Sequence, residues 1–226
     1  MAPGLLSCIE LESGATPDAA VIWLHGLGAD GNDFVPVVDE MRLPPSLSIR
    51  FVFPHAPVRP VTLNGGMAMR AWYDIYHANL SDRADLAGVR MSAAQVEALI
   101  ARERSRGIAA RRIVIAGFSQ GGVIALYTGV RHAERLAGIV ALSTYLVRGD
   151  ELAAEASVAN RDVPIFMAHG TQDPMVRLEW GEVSRRALVA NGYPVEWHTY
   201  PMPHSVVREE ITAISAFLAR VLAPTA

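Results

Sequence analysis

Ser119 stands alone among glycines in Gly117-Phe118-Ser119-Gln120-Gly121, directly after the apolar run Ile113 to Ala116. A serine hydroxyl is a weak nucleophile until a base takes its proton, and that base must be held by a third group. The Gly-x-Ser-x-Gly pattern between a strand-like and a helix-like run predicts a sharp turn. Such a turn presents the hydroxyl above the carboxyl edge of a parallel sheet, with the helix N-terminus supplying free N–H groups for developing negative charge. The plainer reading of the same residues is a glycine-rich turn with Ser119 as a helix N-cap.

A hydrolase built on this turn takes its triad in the chain order serine, acid, histidine. Four histidines follow Ser119: His132, His169, His198 and His204. His132 falls at the end of the helix after the serine, where an exposed C-terminal cap is expected. His169 precedes the best acid, and His198 lies inside a strand-like run. His204, in Pro201-Met202-Pro203-His204-Ser205, is the one expected on a late loop at the carboxyl edge. For the acid, Asp173 follows the run VPIFMAH and precedes a helical pattern, whereas Asp150 and Asp162 are less well placed. The alternative role for Asp173 is a helix N-cap with Pro174 at the first position.

A tetrahedral oxyanion requires two donors. The Gln120 N–H, next after the nucleophile, is one; the other is expected from the loop His25 to Gly31, whose small residues allow close backbone approach. That loop lacks the lysine and the glycine spacing of a nucleotide-phosphate cradle.

The elements that must position these groups are legible as apolar runs of strand length. They are AAVIWLH (19–25), IRFVFP (49–54), RIVIAG (112–117), AGIVALS (137–143), VPIFMAH (163–169) and VEWHTY (195–200), with CIELES (8–13) weaker. Most lack polar alternation, as strands buried on both faces do. Ser92 with Gln95 predicts a capping box, followed by Val96, Leu99, Ile100 and Glu103 on one face and a stop at Gly107. Val176, Trp180, Val183 and Leu188 suit a helix ending near Asn191-Gly192, and a last helix is expected over 206–222 with Ile211, Ile214, Phe217 and Leu218 inward. Alternating strands and helices predict an α/β domain over 1–226 with a mostly parallel sheet covered on both faces. Segments 55–82 and 144–162 fit no regular element and read as functional loops.

Composition narrows the function classes. The chain has 226 residues, a formal charge of −3, and 20 basic residues that are all arginine and dispersed, which argues against a nucleic-acid face. Cys8 is the one cysteine, so neither an intrachain disulfide nor a cysteine-rich metal site is available. No apolar run is long enough to span a bilayer, and the N-terminus lacks a basic region before its short apolar stretch, so a cytoplasmic protein without stable membrane insertion is expected.

The blocks LHGLGADGNDF (24–34), RAWYDI (70–75), GFSQGGV (117–123), HGTQDPMV (169–176) and MPHSV (202–206), in this order, resemble the bacterial carboxylesterase and acyl-protein thioesterase (phospholipase/carboxylesterase) family of α/β-hydrolases. The resemblance runs from about residue 20 to the C-terminus. It implies an α/β-hydrolase fold without a large separate cap domain, Ser119 as nucleophile, Asp173 as acid and His204 as base. It further implies oxyanion donors at the Leu27 and Gln120 N–H groups; the acyl-enzyme mechanism these residues would run needs no cofactor and no metal. The RAWYDI block is similar to a segment that lines an acyl pocket, which makes Trp72 a substrate contact, weighed against simple core packing. Met175 and Val176, beside the acid, are further contacts. The resemblance alone makes a homodimer plausible.

The expected activity is hydrolysis of small to medium acyl esters through an acyl-enzyme on Ser119. The alternatives are an acyl-protein thioesterase or lysophospholipase acting on long chains, or a peptidase or lactone hydrolase on the same fold. From other classes come a non-catalytic hydrolase-fold binding protein and a self-associating structural domain.

Overall fold

The computed structural model describes residues 4–77 and 85–223; the last part of the expected 55–82 loop lies outside them. The strands are β1 (Cys8–Glu12), β2 (Ala19–Leu24), β3 (Ile49–Pro54), β4 (Val58–Val61), β5 (Met67–Arg70), β6 (Ile113–Phe118), β7 (Gly138–Leu142), β8 (Ile165–Gly170) and β9 (Val195–Tyr200). The helices are α1 (Val35–Glu40), α2 (Leu86–Ser105), α3 (Gln120–Gly129), α4 (Leu152–Glu155), α5 (Leu178–Ala190) and α6 (Arg208–Val221), with short 3₁₀ turns between.

Seven strands form one sheet in the order β1-β3-β2-β6-β7-β8-β9. All neighbours are parallel except β1, which pairs antiparallel with β3 through Cys8↔Pro54 and Glu12↔Arg50. The central strands are apolar throughout because both faces are covered. Along β2, Ala20, Ile22 and Leu24 join a core with Leu99 of α2, Val123 of α3 and Leu188 of α5. The alternate residues Ala19, Val21 and Trp23 join the opposite core, with Ile214, Phe217 and Leu218 of α6. This is the two-residue period of a strand feeding two separate layers. No cap domain is present among the described residues; β4 and β5 form a separate antiparallel hairpin, Val58↔Arg70 to Val61↔Met67.

Three local expectations are corrected. The helix assigned to start at Ser92 begins at Leu86, where Asp85 accepts the Gly88 N–H at 2.9 Å as the true N-cap. Ser92 is buried in mid-helix and donates its hydroxyl to the Trp72 carbonyl. Val183 faces outward, 55% exposed, while Gly181, Ser184 and Leu188 supply the buried face of α5. The segments read as irregular contain the β4–β5 hairpin and α4.

The crossing of α3 over the sheet depends on two glycines. A Cβ on Gly117 would lie 2.3 Å from the Gly121 carbonyl, and one on Gly121 would lie 2.3 Å from the Leu24 carbonyl of β2. Both obstacles are backbone, so neither can swing aside. An exposed helical glycine changed to alanine ordinarily gains about 1 kcal/mol. Here the sign reverses: Gly121→Ala is expected to lose roughly 1–3 kcal/mol, the usual cost of overpacking, read as a lower urea midpoint at unchanged slope.

Candidate active site

Ser119 occupies the turn between β6 and α3 with φ 54° and ψ −119°, a left-handed conformation that a side chain rarely adopts. The turn is fastened at both of its peptide groups. The Ser119 N–H donates to the Leu142 carbonyl at the end of β7 (2.8 Å), and the Thr144 hydroxyl donates to the Ser119 carbonyl (2.7 Å). Backbone strain at one residue is thus held in place by the neighbouring strand. The Ser119 side chain caps nothing, which sets aside the reading of the residue as a plain N-cap.

Asp173 lies in the loop after β8, and its side chain is completely buried. One carboxylate oxygen accepts the N–H groups of Met175 (2.8 Å) and Val176 (2.9 Å). The other accepts Nδ1–H of His204 at 2.7 Å. Burial opposes ionisation of this carboxyl, but the hydrogen bonds from His204, Val176 and Met175 outweigh it and hold the group below the usual carboxylate range. With Nδ1–H committed to a carboxylate, the Nε2 lone pair of neutral His204 is left to accept a proton. The imidazole, on the loop between β9 and α6, packs against Phe118 with ring centroids 4.6 Å apart, and Phe118 is backed by Phe34 at 5.7 Å.

The loop after β2 is anchored through His25. Its Nε2 accepts the Ala56 N–H (3.0 Å), which assigns the proton to Nδ1 and its bond to the Gly26 carbonyl (2.7 Å). Burial lowers the pKa of His25 to about 4, so the neutral ring this pattern requires is the stable form near neutrality. Beyond it, Gly28 N–H donates to the Arg70 carbonyl (2.9 Å) and Ala29 N–H to the Gly26 carbonyl (3.3 Å). The N–H groups of Leu27 and Gln120 have no backbone acceptor among the described residues.

These groups share one cavity of about 450 Å³. Leu27, Ser119, Gln120 and His204 line it, and so do Leu63, Ile75, Phe118, Met175, Val176 and Trp180, with Tyr73 and Tyr145. The lining is mostly apolar, with Asp33 and Arg177 as charged members. Met175 and Val176 are both among the lining residues. Trp72 does not: it is fully buried away from the cavity, its ring beside His25 and its Nε1–H donating to the His25 carbonyl (2.9 Å). In this segment the wall positions are held by Tyr73 and Ile75 instead.

The remaining histidines have other partners. His169 is buried and bonds Val176 O through Nε2 (2.8 Å), bracing the loop that carries Asp173, whose carboxylate is 3.7 Å away. His132 is buried rather than exposed, bonded to Glu97 at 2.8 Å. His198 bonds Glu196 (3.0 Å) in β9. Asp150 and Asp162 lie at the surface, near Arg148 and Arg135.

Sequence reasoning missed the side chain of Gln120. Its Oε1 accepts the Trp72 N–H (2.8 Å) and its Nε2 donates to the Tyr73 carbonyl (2.7 Å), clamping the segment at 72–73 to the first turn of α3. No local pattern marks this role; it follows from the burial of the amide, since such a group must find partners. The candidate metal-ligating groups form no cluster among the described residues.

The assembled arrangement is competent for acyl transfer: a hydroxyl at the strand–helix turn, an acid-oriented imidazole and, among the described residues, two N–H groups without a backbone acceptor on one mostly apolar cavity. The phospholipase/carboxylesterase family model matches residues 7–222. The acyl-protein thioesterase 1 of Mycosarcoma maydis is 40% identical over 95% of this chain and 95% of its own. That of Neurospora crassa is 43% identical over 88% and 85%. The crystal structure of Zea mays acyl-protein thioesterase 2 superposes with a TM-score of 0.84 at 31% identity, covering 96% of this chain and 99% of that one. With its parallel sheet, its strained serine turn and this match across nearly its whole length, the chain belongs to the phospholipase/carboxylesterase family of α/β-hydrolases.

Proposed function

We propose that this protein is a serine hydrolase of acyl esters and thioesters, working as one catalytic unit without metal or cofactor. Ser119, deprotonated by His204, attacks the acyl carbonyl; Asp173 orients the imidazole and stabilises the imidazolium that forms. The oxyanion is received by the N–H groups of Leu27 and Gln120. His204 then protonates the leaving alcohol or thiol, and water repeats the sequence on the acyl-enzyme. Leu63, Ile75, Met175 and Val176 surround the acyl chain.

The observation that carries this reading is the Asp173–His204 hydrogen bond of 2.7 Å on the cavity that also holds Ser119 at its strained turn. The binding-protein alternative has no use for that strain. Thioester cleavage gains support from relatives named acyl-protein thioesterase. Among the described residues no helix is long and apolar enough to cross a membrane, which is compatible with a cytoplasmic enzyme. A panel of p-nitrophenyl esters of rising chain length beside a palmitoyl-thioester peptide tests the reading. Turnover of both classes, rising with chain length until the cavity is filled, is the expected result. A folded protein that hydrolyses none of them contradicts it.

A further inference from the structure

The cavity wall carries a polar pair that the reaction does not use. Tyr73 and Tyr145 both line it, and their hydroxyls meet at 2.9 Å. Tyr73 is 1% exposed and Tyr145 6%. The chain brings them together from the segment after β5 and the segment after β7, 72 residues apart.

The arithmetic of protons makes this pair unusual. Two phenols carry two O–H donors, and one hydrogen bond between them uses one. No other side-chain or backbone acceptor meets either hydroxyl among the described residues. Whichever oxygen donates, the other keeps a proton with no acceptor among the described residues. Deprotonation does not relieve this, because burial pushes Tyr145 up to about 12 and Tyr73 well above its ordinary value. A buried donor left unpaired costs about 1–3 kcal/mol, and a wholly hydrocarbon ligand brings it no partner. An apolar wall of phenylalanines would hold a plain chain at no such cost.

We infer that the Tyr73–Tyr145 pair is a polar subsite that selects acyl groups bearing an oxygen acceptor beyond the ester carbonyl, such as an oxo-acyl chain. This rests on the ester-hydrolase reading above. In it the free phenolic proton donates to the chain oxygen, while the tyrosine–tyrosine bond fixes the direction of that donor. The methylenes on either side of the oxygen contact the apolar wall, including Ile75 and Trp180. A single hydrogen bond of this kind, set against an unpaired donor, corresponds to roughly a tenfold preference.

The test compares kcat/KM for p-nitrophenyl octanoate with analogues in which one ketone oxygen is stepped along the chain. The wild-type enzyme is expected to favour one ketone position over the plain ester by roughly tenfold. In the Tyr73→Phe/Tyr145→Phe double variant, both rings remain and that preference should disappear, with the plain ester gaining. The double variant is needed because either single change frees the surviving hydroxyl to donate. Wild-type enzyme that hydrolyses the plain ester at least as well as every analogue overturns the subsite alone. A preference that persists in the folded double variant does the same. Turnover of no ester overturns the hydrolase reading and the subsite with it. If the double variant does not fold, wild-type enzyme that favours no ketone analogue over the plain ester still overturns the subsite.

Discussion

Ser119→Ala is expected to lower kcat by ~10⁴ or more while leaving the protein folded. The fold tolerates the change because the hydroxyl makes no cap hydrogen bond. The turn is fastened through the backbone of residue 119, by Leu142 and Thr144, and those bonds survive in alanine. Alanine also keeps the Cβ that the φ of 54° already accommodates. Circular dichroism and the urea midpoint should therefore match the parent while ester turnover collapses. The residual rate is that of a cavity with donors but no nucleophile. A folded Ser119→Ala protein with near-parental turnover is incompatible with an acyl-enzyme on this residue.

Much of the frame behind that expectation was legible in the chain. The uninterrupted apolar runs at 19–25, 112–117 and 163–169 could be read as central strands because a strand covered on both faces has no polar alternation to confuse the pattern. The hairpin β4–β5 could not: its strands have four residues each, one contains Pro60, and most of their side chains are outside the core. Ser92 misled because Ser-x-x-Gln is a helix-start signal in isolation, whereas tertiary contact with Trp72 fixes this serine inside α2. The candidate triad followed from chain order and loop position. The Gln120 clamp, the His25 latch and the tyrosine pair did not, since each joins residues 31 to 72 positions apart and leaves no local periodicity. Of the two readings of Trp72, substrate contact or core packing, the structure shows the packed one, and the cavity is lined by its neighbour Tyr73.

The second large effect concerns Asp173. Asp173→Asn is expected to lower kcat by ~10³–10⁴ with little loss of stability. The oxygen that accepts the Met175 and Val176 N–H groups has an equivalent in the asparagine carbonyl, so the loop remains held. The amide nitrogen must then face Nδ1 of His204 in place of the oxygen at 2.7 Å. Donor opposes donor unless the imidazole changes tautomer. With the proton moved to Nε2, the lone pair that should receive the serine proton is gone. The variant also removes the charge that stabilises the imidazolium. Its expected signature is a fall in kcat with a modest change in KM, because the cavity walls are untouched. If Asp173→Asn retained parental kcat, the acid would have to be sought elsewhere.

Both effects depend on one atom being the nucleophile, and a covalent probe addresses that atom directly. A fluorophosphonate reacts with a serine whose proton is withdrawn by a neighbouring base and leaves a stable adduct. Intact-mass analysis of the treated protein should show one adduct, and peptide mapping should place it on Ser119. Prior denaturation should abolish the labelling, since it separates Ser119, Asp173 and His204. An adduct mapped to any other residue, or a folded protein that takes up no label, would contradict the assignment of Ser119.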